Sequence, residues 1–170
     1  MKQILLVRHA KSDWENPQQP DFERPLNKRG QANAPEMAKR LLKKHLIPQH
    51  LVSSPAVRAI TTAKYFADIL GFSEKEIQRE QKIYEASASD LLEVLNKLDN
   101  KHDFVALFGH NPGLTTLAVS LSDSDIYNIP TCGMLLIEFP FDDWSLISYG
   151  TGVKKMYDFP KNPEENQASL

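Results

Sequence analysis

Two stretches of the chain are apolar without a break, residues 4–7 and 104–108. Neither alternates, so each reads as a strand covered on both faces, as in the interior of a parallel sheet. Residues 28–45 instead place Met37, Ala38, Leu41 and Leu42 at helical spacing, which predicts an amphipathic helix. Pro35 within it removes a hydrogen bond, so that helix is expected to kink or begin late. A short strand at 50–52 runs into a second helix. Its predicted signals are Ser54 as N-cap, Pro55 in the first position and Gly71 at the exit.

Residues 76–85 read as a strand and its exit loop, 87–98 as a third helix, and 104–109 as the second apolar strand. NPGLTTLAVSL (111–121) opens a fourth helix, with Asn111 as its cap or as a ligand contact. Residues 134–150 predict an antiparallel hairpin turning at FDDW. Residues 159–170 are polar and read as a mobile tail behind a single domain, 1–158. Strands alternating with helices imply an α/β fold, a three-layer α/β/α sandwich with a mainly parallel sheet and an antiparallel C-terminal hairpin strand.

Composition narrows the function classes. A chain of 170 residues suits one domain, and a net charge of -2 provides no field for nucleic acid or an anionic membrane. The single cysteine, Cys132, excludes an intrachain disulfide framework and reads as a packing residue. The opening apolar run is too short for a spanning helix. A cytoplasmic protein is expected.

In open α/β sheets ligands bind beyond the carboxyl ends of the strands. The predicted strands exit there at Arg8-His9, Ser54-Pro55, Tyr84-Glu85 and Gly109-His110. Arg58 follows in the first turns of one helix, and His110 precedes another. Two guanidinium groups and two helix N-termini suit a phosphoryl group. A neutral histidine among them is a competent nucleophile, and flanking cations favour the neutral form. Lys11, Ser12 and Asp13 are expected at the rim. Tyr84, Phe104 and Phe108 read as core, and His45, His50 and His102 as surface histidines.

LLVRHAKS, RPLNKRG, SSPAVRAITTA, IYEAS and FGHNPGL, in this order, resemble the histidine phosphatase superfamily, and most closely its small SixA-like phosphohistidine phosphatases. The resemblance spans residues 2–120 and implies a phosphoglycerate mutase-like fold. It implies His9 as the nucleophile, with Arg8, Arg58 and His110 on the phosphate oxygens, Glu85 as proton donor and Arg24 at the rim as a further phosphate contact. No metal or other cofactor is implied. The family's usual RHG reads Arg8-His9-Ala10 here, so this turn must use ordinary backbone angles. The helical insertions of the mutases are missing, which predicts an open pocket and a phosphorylated protein as substrate. A small phosphate ester, or phospho-ligand binding without turnover, are the alternatives at this point.

Overall fold

The apolar run after Met1 becomes the strand against which the sheet is assembled. The computed structural model describes residues 1–163. In chain order its elements are β1 (Lys2–Arg8), α1 (Lys28–Lys43), β2 (His50–Ser53), α2 (Val57–Leu70), β3 (Ile77–Arg79), α3 (Ala88–Asn96), β4 (Phe104–Gly109), α4 (Gly113–Leu121), β5 (Met134–Phe139) and β6 (Val153–Asp158). The strands form one sheet in the order β3-β2-β4-β1-β5-β6. The four strands from β3 to β1 run parallel, while β5 lies antiparallel to both β1 and β6.

Alternation along β1 divides the core. Leu5 and Val7 pack with Met37, Leu41 and Phe66 of α1 and α2. Ile4 and Leu6 pack with Leu91, Leu95 and Leu117 of α3 and α4 on the other face. Each such side chain contributes about 1.5–3 kcal/mol by leaving water. The expected three-layer α/β/α sandwich is therefore present, and its parallel half ends on one edge.

Several local expectations need correction. Ser54 is not the N-cap of α2; that position is Ala56, so the helix starts two residues later and Ser54 is released for another partner. Gly71 does close α2, in the left-handed region at φ 90°. The helix α1 starts directly at Lys28, where the Asn27 side chain accepts from Gly30 N. Pro35 sits inside it, costing one hydrogen bond without delaying the start. Leu42 is exposed rather than part of the buried face.

An antiparallel pair does begin at Met134, but its second strand lies beyond the predicted residues 134–150, and FDDW is not a tight turn between the two. Trp144 and Ile147 lie three apart around a 3-10 turn, where such positions eclipse, and both plug the core. The returning strand is β6, whose Lys154 and Lys155 mark a polar outer edge that hydrophobic pattern alone does not reveal. Of the segment expected as a tail, Arg40 donates to the carbonyls of Phe159 and Pro160, and Asn162 donates to Asp158. Residues 164–170 lie outside the described residues. No described helix is long and apolar enough to cross a membrane.

Candidate active site

His9 leaves β1 at the carboxyl edge and is only 7% exposed. Its Nδ1 lies 2.7 Å from the Ala10 carbonyl oxygen. A carbonyl only accepts, so Nδ1 carries the proton and the neutral ring keeps its lone pair on Nε2. Burial is the main reason its pKa falls to about 4, aided by the charges of Arg58 and Arg8 and opposed by the bond to Ala10. At neutral pH the ring is an uncharged base.

The turn that holds it is tied to α2. Thr62 Oγ1 accepts from Ala10 N at 3.0 Å and donates to the Arg58 carbonyl at 2.7 Å. Ala10 stays out of the left-handed region, as expected for alanine in place of glycine. Gly30 packs against the same turn: a Cβ there would lie 2.3 Å from the Lys11 carbonyl oxygen. Cys132 N reaches the carbonyls of Arg8 and His9, both at 3.0 Å. The Cys132 thiol is buried, and burial pushes its pKa up, which fits packing rather than nucleophilic chemistry.

The ring of His110, at the end of β4, lies 5.2 Å from that of His9 between centroids. Its Nε2 pairs with Ser54 Oγ at 2.8 Å, the partner released by the late start of α2. Ala56 N donates to the same Oγ. His110 Nδ1 is buried and has no hydrogen-bond partner among the described residues; when the Ser54 hydroxyl donates to Nε2, Nδ1 carries the ring proton. Burial first, then the neighbouring His9 and Arg58, lower its pKa to about 3. Arg8 donates through Nη1 to the Ile129 carbonyl, while its buried Nε has no partner among the described residues. Buried donors of this kind are costly unless an acceptor reaches them.

Arg58, the second residue of α2, donates to Asp21 twice, at 2.7 Å to its carbonyl and 3.0 Å to Oδ2. Tyr84 donates its hydroxyl to the same Oδ2 at 2.7 Å, and its ring meets His110 edge-on. Tyr84 is therefore not core. Burial and the Asp21 carboxylate raise its pKa to about 12. Partial burial raises the Asp21 carboxyl, but the Tyr84 bond and Arg58 outweigh it and hold the group below its usual range.

Asp21, Arg58, Tyr84 and His110 line a cavity of about 490 Å³ with Glu85 at its rim. Glu85 is exposed and takes a left-handed φ of 55°, a costly angle for a side-chain-bearing residue. The bend brings the Ala86 carbonyl against Gly113, where a Cβ would lie 2.2 Å away. The Glu85 rim is thus clamped to the start of the His110 helix. Arg24 is buried, stacks 4.0 Å over Trp14 and donates to the Asn16 carbonyl, contacts within its own loop. Asn111 binds the first turn of α4 through Thr115 and ties down Ile129, although the N-cap is Pro112.

The structure thus brings together Arg8, His9, Arg58 and His110, with Glu85 on the shared rim. Sequence reasoning missed Asp21 and Thr62, and placed Ser54 and Tyr84 at the ligand edge without giving either a role in the site. Asp21 lies in a polar loop with no periodic pattern, and only tertiary contact with Arg58 distinguishes it from other loop acids. Among the described residues, no three His, Cys, Asp or Glu side chains cluster so as to hold a metal ion.

The sequence matches the model of the histidine phosphatase superfamily (branch 1) over residues 4–100. The chain belongs to this superfamily. An uncharacterized chloroplastic protein of Arabidopsis thaliana is 30% identical over 151 residues, 84% of this chain and 69% of that protein. The fold is similar to that of SixA from Agrobacterium tumefaciens, with a TM-score of 0.77 at 24% identity, covering 94% of this chain and 98% of that one. It is also similar to the protein histidine phosphatase SixA complexed with tungstate, with a TM-score of 0.78 at 20% identity, covering 93% and 97%. A mycobacterial glucosyl-3-phosphoglycerate phosphatase matches at 0.67 with 14% identity, covering 89% and 97%. The superfamily match ends before His110, so only the fold brings that residue beside His9.

The neutral histidines have a consequence for stability. In the unfolded chain both protonate near pH 6.5, whereas in the fold they stay neutral down to about 4 and 3. The unfolded state therefore binds more protons between these limits, and stability falls as pH drops from 6.5 towards 4. Thermal unfolding should show a lower midpoint at pH 5 than at pH 7.5. The difference should shrink in His9→Asn, and an unchanged difference would contradict this account.

Proposed function

We propose that this member of the superfamily is a metal-independent phosphatase that carries the phosphoryl group on His9, and that its substrate is phosphohistidine on a protein. The observation that carries the reading is the His9 ring. Its Nδ1 is committed to the Ala10 carbonyl, leaving an unprotonated Nε2 beside Arg8, Arg58 and His110.

In the first step Nε2 attacks phosphorus in line, the P–Nε2 bond forms, and the bond to the leaving group breaks with its electron pair going to that group. Arg8, Arg58 and the His110 Nδ1–H hold the non-bridging oxygens and stabilise the charge of the transition state. In the second step water attacks phosphorus, the P–Nε2 bond breaks, and the water proton leaves to solvent as phosphate is released. The guanidinium groups supply the positive charge that a divalent cation supplies elsewhere. Arg24 is proposed as a rim cation of the same site.

The choice of a protein substrate rests on the open rim. Between α2 and β4 the chain builds only two 3-10 turns, β3 and α3, and Asp21, Glu85 and Pro112 stand exposed around the cavity. A phosphorylated side chain on a folded partner can approach such a rim. The proposed setting is the cytoplasm, with no role for nucleic acid or membrane.

One observation favours a small phosphate ester as the second reading. Glu85 lines the cavity, and an alkoxide leaving group gains from an acid more than an imidazole does. Turnover of a phosphohistidine peptide and of an alkyl phosphate, each with the parent and with Glu85→Gln, decides between them. The proposed reading expects the peptide to be preferred and Glu85→Gln to spare it, within about threefold. On the alkyl phosphate the same change should cost about 100-fold. Preference for the alkyl phosphate would overturn the protein reading.

A further inference from the structure

The Arg8-His9 turn has a second cavity beside it. By strand order, the cavity with Asp21 and Glu85 lies toward β2, β4 and β3. The other, of about 310 Å³, lies toward β5 and β6, whose start and end share that edge with the end of β1. Lys11, Arg29 and Lys161 line it, together with Asn33, Thr131 and Phe159. Among the described residues, no carboxylate does. The three cations are exposed, and none has an ion pair among the described residues.

This basic cavity is joined to the catalytic turn through two chain segments. Lys11 is two residues beyond His9, and its carbonyl accepts from Asn27 N at the start of α1. Thr131 precedes Cys132, whose N–H reaches the carbonyls of Arg8 and His9. A ligand seated there is positioned relative to His9 without touching it. The cations are separated and solvated, and the first turn of α1 is already capped by Asn27. That arrangement lacks the free N–H cradle of a phosphate site and suits several spaced carboxylates.

We propose that this cavity is a docking site for acidic side chains of the partner protein, which orient it while its phosphorylated residue enters the neighbouring site. The proposal rests on the protein-substrate reading above. Exposed charges of this kind guide and orient partners more than they hold them, and their effect falls with salt.

The test measures binding of a fluorescently labelled Asp/Glu-rich peptide, with the matching Asn/Gln peptide as control. The parent should bind the acidic peptide and not the amide, with affinity falling as salt rises. The double variant Arg29→Glu/Lys161→Glu should bind it about tenfold more weakly. Its turnover of a small aryl phosphate should equal that of the parent, because neither residue belongs to the catalytic set. Equal binding of both peptides, unchanged affinity in the variant, displacement by inorganic phosphate, or lost aryl phosphate turnover would each overturn the proposal. A phosphohistidine placed within the acidic peptide separates the two readings. Tight binding without dephosphorylation would remove the protein-phosphatase reading and leave the docking site standing.

Discussion

Replacing His9 with alanine is expected to lower turnover by about 10⁴-fold or more, on phosphohistidine and phosphate ester alike. Every step of the proposed mechanism passes through Nε2, and no neighbouring side chain can substitute for it. The other ring, His110, already has its Nε2 engaged by Ser54 Oγ at 2.8 Å. Cys132 is buried with its thiol pKa pushed up. Alkaline quenching of the parent during turnover should retain an acid-labile phosphate on the protein, and the alanine variant should retain none. Because the one hydrogen bond of the His9 side chain among the described residues is to the adjacent Ala10 carbonyl, the variant should remain folded by circular dichroism. Hydrolysis at the parental rate by a folded His9→Ala would exclude the covalent mechanism.

The second large effect is expected at Arg58. Arg58→Ala should lower kcat by about 10²–10³-fold, the usual scale for a preorganised donor to transition-state charge. Part of that loss has a specific cause. Arg58 neutralises Asp21, whose carboxylate otherwise faces an incoming phosphoryl group with only Tyr84 as partner. Adding Asp21→Asn to Arg58→Ala should therefore recover about tenfold through relief of like-charge repulsion. Arg58→Lys should fall between parent and alanine, since lysine restores charge but not the forked geometry. Steady-state kinetics on one substrate measures all four proteins, and no recovery in the double variant would show that Asp21 acts only as a support.

Much of the site was legible because its residues stand at strand exits. The uninterrupted apolarity of 4–7 and 104–108 marks two buried strands, and the polar residues that end them, Arg8-His9 and His110, must then lie at the sheet edge. Asp21 was not legible. Its loop has no repeating contacts, and its meaning comes from a guanidinium 37 residues away. Ser54 was legible as a capping residue but in the wrong role, because both roles use the same hydroxyl and the spacing of SSPA permits either. Tyr84 read as core because it is aromatic, whereas in the fold its ring meets His110 edge-on and its hydroxyl reaches out to Asp21.

The layered α/β fold and the sheet edge at which Arg8, His9 and His110 emerge were already legible in the chain. These follow from local periodicity and chain direction, which every residue carries with it. The tautomer of His9, the partner of His110, and the acid-rimmed and basic cavities beside them emerged with the packed fold. Those depend on which polar groups meet after distant segments pack, and in a buried site the hydrogen bonds then available set where each proton resides.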